Sequence, residues 1–119
     1  MTKSFNTSIE ERLGCLWITI KDSIDMDNYK SIEQDIFEHI KKASTTSVVI
    51  DLSKIPALFS SGVGVIMRIH SLSKEHNKDL YLVNVNNKVE EVMETMGLDS
   101  VLKIYPDEES FKTDQENSS

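Results

Sequence analysis

The chain has one cysteine, two prolines and four glycines among 119 residues. The lone Cys15 excludes an internal disulfide. Its place in an apolar, strand-like run favours a buried, inert thiol over a reactive one. Scarce proline and glycine argue against a long linker. Long hydrophobic runs are missing too: the longest are short pieces such as Cys15 to Ile20, whereas a membrane helix needs ~20 residues. The N-terminus lacks the basic-then-apolar order of a signal peptide, so export is not expected and the cytoplasm is the expected location. Positive charge is in deficit. Twenty acidic residues face 13 basic ones, for a formal charge of −7, which opposes binding to nucleic acid or to an anionic membrane surface. This balance names no partner, because acidic surfaces often serve solubility alone.

What remains is the composition of one α/β domain. The length suits a single core, with residues 1–112 expected to fold and a polar tail, 113–119, expected to fray. Phe5, Thr7 and Ile9 alternate with polar residues, as do Leu16, Ile18 and Ile20. Both runs read as strands, joined through Glu11 to Gly14 in a hairpin. The period then changes: Tyr29, Ile32, Ile36 and Ile40 fall at helical spacing, with Asp25 or Asp27 as candidate caps. Val48 to Leu52 is apolar on both faces, which suits a central parallel strand. A helix over Ser61 to His76 carries Val65, Ile66, Ile69 and Leu72 on one face, and Leu80 to Val85 reads as another buried strand. Asn86-Asn87 opens a third helix with Val89, Val92, Met93 and Met96 inward and Gly97 as its stop. A short strand, Leu102 to Tyr105, and an acidic turn or helix, Asp107 to Lys112, complete the chain. The order β-β-α-β-α-β-α-β, with a possible C-terminal helix, implies right-handed crossovers and a mostly parallel central sheet made mixed by the hairpin.

Catalytic apparatus is not visible. Gly62-x-Gly64 follows a strand, but the third glycine of a dinucleotide fingerprint would fall at Met67, and Asn84 stands about twenty residues on where an acid is needed. No phosphate loop, nucleophile elbow or His-Glu-x-x-His occurs, and His39, His70 and His76 have no metal-ligand spacing. No enzyme activity, cofactor or metal is therefore expected. Trp17, Met67, Met93 and Met96 match core periods and read as packing rather than as a ligand pocket. Ser60 and Ser61 are different. They fall beside free backbone N–H groups at a helix start, where a serine is an ordinary cap and a phosphate would also be stabilised. Gly62 and Gly64 let another macromolecule approach the backbone closely. Asp25 is either a cap or part of a contact surface near that loop.

The segments Val49-Ile-Asp-Leu-Ser53 and Ser60-Ser-Gly-Val-Gly-Val65 resemble the STAS-domain family, in particular the free-standing anti-sigma factor antagonists of bacteria. The family pattern is a hydrophobic strand, Asp-Leu-Ser, a few apolar residues, then Asp-Ser-Ser-Gly-Leu-Gly-Val. The resemblance runs over about residues 5 to 111 and includes Ile24-Asp25 and Met96-Gly97-Leu98. It implies that Ser60, with Ser61 as the second choice, is phosphorylated by an anti-sigma factor that is itself a serine kinase. The unmodified chain would bind that factor and free the sigma factor for transcription, and a serine phosphatase would reverse the modification. ATP would belong to the partner, and the free chain would be a monomer. The implied contact residues are Asp25, Phe59, Ser60, Ser61, Gly62 and Val63. Two positions depart from the pattern: the acid before the serine pair is Phe59, and a glycine ahead of Ile24 is Asp22. An aromatic for a carboxylate removes a charge and adds apolar area, so Phe59 either packs inward or anchors a partner. A second reading keeps the fold as a phosphorylation-independent adaptor in a signalling or transport assembly, with Phe59 in its docking surface.

Overall fold

Leu13 and Gly14 both take positive φ, 56° and 74°. Such a two-residue turn has the twist that paired strands prefer. It sets β1 (Thr7–Arg12) antiparallel to β2 (Cys15–Ile20), with Arg12 opposite Cys15. The computed structural model describes residues 6–117, so the expected strand residue Phe5 lies outside the described residues. Three further strands, β3 (Ser47–Asp51), β4 (Asp79–Val83) and β5 (Lys103–Ile104), follow β2 in parallel, in the order β1-β2-β3-β4-β5.

Each crossover therefore steps one strand further in the same direction. Right-handed connections then place every crossover helix on the same face. Helices α1 (Tyr29–Lys42), α2 (Ser60–Glu75) and α3 (Asn87–Thr95) do lie there. They bring Ile32, Ile36 and Ile40, then Ile66 and Ile69, then Val89 and Met93, into one core. Strand rows such as Ile18–Ile50–Leu82 form its floor. Lys78, nearly buried, donates from Nζ to the carbonyls of Ala43 (2.9 Å) and Thr45, tying the end of α1 to the start of β4. Met96 departs from its expected core place. Helix α3 ends at Thr95, ahead of Gly97 at φ 73°, and Met96 is left 54% exposed.

The opposite face is left to one element. Its row Trp17–Val49–Tyr81 is covered by α4 (Glu108–Asn117) through Phe111, that helix's one buried side chain among the described residues. Phe111 lies 5.1 Å from Tyr81 and 6.0 Å from Trp17 between ring centres. Cys15 is buried on the same side, and burial raises its thiol pKa, keeping it protonated. The polar tail expected to fray from Thr113 continues as helix to Asn117, with the Tyr105 hydroxyl bonded to Asp114; Ser118 and Ser119 lie outside the described residues.

Two ionisable contacts hold α4 down, and they give its docking a pH window. Arg12, stacked 3.9 Å over Trp17, donates to Glu108 at 2.5 Å and pulls that carboxyl below its usual 4.5. Burial first, and then the bond to Asp114 and its charge, push Tyr105 up to about 12. A depressed carboxyl stabilises above its unfolded value and loses that contribution as pH falls through the folded one. A raised phenol stabilises below its unfolded value near 10 and loses that contribution as pH climbs towards 12. Trp17 emission is therefore expected to be flat between these limits and to shift red beyond both. An emission maximum unchanged through both titrations would contradict the contacts.

Candidate functional site

In parallel sheets the carboxyl ends of the strands carry the loops that bind. Here the loop from Leu52 to Phe59 leaves β3 and is held from two sides. Asp51 Oδ1 accepts from the Ser53 N–H (2.8 Å) and from Asn84 Nδ2 (3.0 Å). Asn86 caps α3 by accepting from the Val89 N–H at 2.9 Å, and its Nδ2 donates to the carbonyls of Ile55 and Pro56, both at 3.2 Å. Buried Ile55 and Leu58 anchor the loop in the core. The Asp-Leu-Ser segment thus serves to fix the loop.

Helix α2 begins one residue earlier than the spacing predicts. Its N-cap is Phe59, with extended backbone and no side-chain acceptor, so Ser60 and Ser61 are its first two helical residues. The expectation that a serine caps this helix is overturned. The first backbone bond runs from the Val63 N–H to the Phe59 carbonyl, 3.0 Å. The N–H groups of Ser60, Ser61 and Gly62 precede it and carry the positive end of the helix dipole. No acidic residue lies in the first turn.

The two serines have separate environments. Ser60 is exposed, and its hydroxyl makes no hydrogen bond with the described residues. Ser61 is half-buried and donates to the Ile24 carbonyl at 3.3 Å, joining α2 to the loop before α1. Gly62 packs closely at this junction: a Cβ there would meet Leu58 Cδ1 at 2.7 Å, so the tip of that side chain would have to shift, while Ile24 Cβ at 3.5 Å would be an ordinary contact. Gly62 and Val63, expected at the contact surface, are both buried. Asp25 follows Ile24 and therefore stands at the same end as Ser60. Its carboxylate accepts from the N–H groups of Asp27 (2.8 Å) and Asn28 (2.9 Å). It closes the turn ahead of α1, while Asn28 holds the N-cap position itself.

Phe59 turns outward and is 60% exposed. With Ala57 and Leu58 it faces Val92, Thr95 and Met96 of the α3 end across a mostly apolar groove beside Ser60. Arg68 lies on the other flank, about two helical turns beyond Ser60. Its Nε donates to Glu33 of α1, its guanidinium sits 5.9 Å over Tyr29, and its NH1 and NH2 lie 3.1 and 3.4 Å from where a Gly64 Cβ would be. The sequence pointed to Asn86 as the start of the third helix, which it caps, but not to the hold of Asn84 and Asn86 on the loop, nor to Arg68. Spacing held a partial signal for Arg68, since Ser60, Gly64 and Arg68 are successive members of one i, i+4 row.

The model of the STAS domain matches residues 6–111. The chain belongs to the STAS domain family. An anti-sigma F factor antagonist of Paenibacillus polymyxa is 23% identical over 108 residues, covering 91% of this chain and 92% of that protein. The crystal structure of an anti-sigma factor antagonist from Mycobacterium paratuberculosis is 25% identical, covers 90% of each chain and superposes with a TM-score of 0.74. The antagonist SpoIIAA, a Bacillus cell fate determinant, shows the same fold in its unphosphorylated form (15% identity, 95% and 99% covered, TM-score 0.70) and in its phosphorylated form (18%, 90% and 97%, 0.66). The five-stranded mixed sheet with four helices is thus a STAS fold. Within this STAS domain no cluster of three or more His, Cys, Asp or Glu side chains that could hold a metal ion occurs among the described residues, and no described helix is long and apolar enough to cross a membrane.

Proposed function

We propose that this STAS domain is an anti-sigma factor antagonist switched by phosphorylation of Ser60. The unmodified chain binds an anti-sigma factor through Ser60, Ser61, Phe59 and the Asp25 loop, and so frees a sigma factor for transcription in the cytoplasm. That factor is also a serine kinase. Its ATP gives the γ-phosphoryl group to Ser60 Oγ: the new P–O bond forms as the bond to ADP breaks, and the hydroxyl proton passes to a base of the kinase. A serine phosphatase returns the chain, a monomer when free, to its binding form. The observation that carries this reading is the placement of Ser60, exposed with a free hydroxyl at the first position of α2. It stands next to N–H groups that Phe59 cannot cap, so a phosphate there would meet unused donors. A phosphate adds about −1.5 to −2 charge to the contact surface, which opposes rebinding by desolvation and repulsion.

The test is intact-mass measurement after incubation with the cognate kinase and ATP. One added phosphate is expected on the native chain and none on Ser60→Ala. An unmodified native chain, or a phosphate that survives Ser60→Ala, overturns the switch. A second reading, a phosphorylation-independent adaptor, draws on the exposed Phe59 and Met96 beside the loop. Recovery of a transporter subunit or sensor scaffold from native cytoplasm, without an anti-sigma factor, would favour it.

A further inference from the structure

We infer that Arg68 and the gap above Gly64 form a built-in receptor for a phosphate on Ser60, an inference that rests on the switch proposed for that serine. Ser60, Gly64 and Arg68 follow one another at four-residue intervals along α2, so they form a single ridge. Long helical side chains lean towards the helix N-terminus, and that direction takes Arg68 over position 64 and on towards Ser60. A side chain at 64 would occupy this path. With glycine there, the guanidinium fills the space, its NH1 and NH2 lying 3.1 and 3.4 Å from the absent Cβ.

The orientation matters as much as the place. The Nε edge is taken by Glu33, and the ring of Tyr29 lies beneath the guanidinium at 5.9 Å. NH1 and NH2 have no acceptor among the described residues. These are the atoms nearest Gly64, on the side where Ser60 stands. Ser60 and Arg68 are eight residues, about 12 Å of helix axis, apart, but the fork lies at position 64, about 5–6 Å from the Ser60 Cβ, a span that a phosphoserine turned back along the helix closes. Arginine can hold a phosphate through two N–H groups at once, while Nε stays with Glu33. Glu33 and Tyr29 are thus positioning residues and Arg68 is the phosphate ligand. The consequence for the switch is electrostatic: a neighbouring guanidinium favours the dianion, so the modified chain carries close to its full −2 at neutral pH and a single orientation of the group.

The test uses the full chain with phosphoserine placed at position 60 during translation, and so needs no kinase. Phosphorus NMR then follows the second ionisation of the phosphate, which lies near 6 when unperturbed. In the native background it is expected about one unit lower than in Arg68→Gln, and Gly64→Ala, whose methyl would crowd the fork at 3.1 Å and make it give by a few tenths of an ångström, is expected to lie between the two. Arg68→Lys, which keeps the charge without the fork, should fall between. Asp25 in the loop before α1, Lys30 and Glu33 on α1, and Lys88 and Glu91 on α3 are the same in every variant, so the differences report Arg68 and the gap. Far-UV circular dichroism and Trp17 emission confirm the fold of each. Equal ionisation in the native and Arg68→Gln chains overturns the receptor. A Gly64→Ala chain that matches the native one overturns the role of the gap. Neither result bears on whether a kinase modifies Ser60, which intact mass decides separately.

Discussion

Phe111→Ala is expected to lower the free energy of unfolding by about 3–5 kcal/mol, the usual loss when a buried phenylalanine is truncated. The reason lies in the winding of the sheet. Three crossover helices share one face, so Trp17, Val49 and Tyr81 on the other depend on α4, and Phe111 is its one buried side chain among the described residues. No second apolar contact from the helix can take over. A ten-residue helix is marginal in water without packing, so the variant should lose α4 as well as its aromatic contacts. Domains of this size are stable by about 5–15 kcal/mol in all, which makes the expected loss a large fraction. Urea denaturation followed by Trp17 emission measures it directly. The native-state emission should already be red-shifted in the variant, since Phe111 lies edge-on to the indole at 6.0 Å. A loss below about 1 kcal/mol, within the range of an ordinary surface change, would mean that the face is held by something other than Phe111.

The contrast between the two faces also decides what was legible in the sequence. Ile32, Ile36 and Ile40 repeat at helical spacing because α1 buries one stripe, and Val48 to Ile50 is apolar on both faces because β3 is covered on both sides. Periodicity records burial of that kind directly. It records little of α4, where one phenylalanine stands among polar residues and the rest of the hold comes from Arg12 and Tyr105. Met96 failed for a related reason. It continues the spacing of α3, but the helix stops at Thr95 and the period loses its meaning one residue later. The site was half visible. Motif and element order picked out Ser60 and its end of the sheet. The structure alone shows which serine faces outward, because that turns on the handover from loop to helix at Phe59 and on the Ser61 bond to Ile24. The asparagines that pin the loop act across 30 or more positions of sequence, a distance over which local spacing carries no information.

Ser60→Asp is expected to weaken binding to the anti-sigma factor about 100-fold, or about 2.7 kcal/mol, while Ser60→Ala binds as the native chain does. A carboxylate at this position would enter an interface next to exposed Phe59, where an uncompensated charge costs several kcal/mol. The same carboxylate should have the opposite effect on the free protein. It would fall at the first helical position of α2, where the cap supplies no acceptor and the first turn no acid. A negative charge there stabilises a helix by about 0.3–1 kcal/mol. Binding down and stability up is a pair of signs that misfolding cannot produce, because a damaged domain loses both. Titration calorimetry against the partner recovered on Ser60→Ala, with urea denaturation of the free variants, gives the two readings. Ser61→Asp separates the serines: it replaces the hydroxyl that bonds Ile24 and places a charge in a half-buried junction, so it should lower stability along with binding. If Ser60→Asp binds as tightly as Ser60→Ala, charge at this position does not govern the interface, and the adaptor reading takes its place.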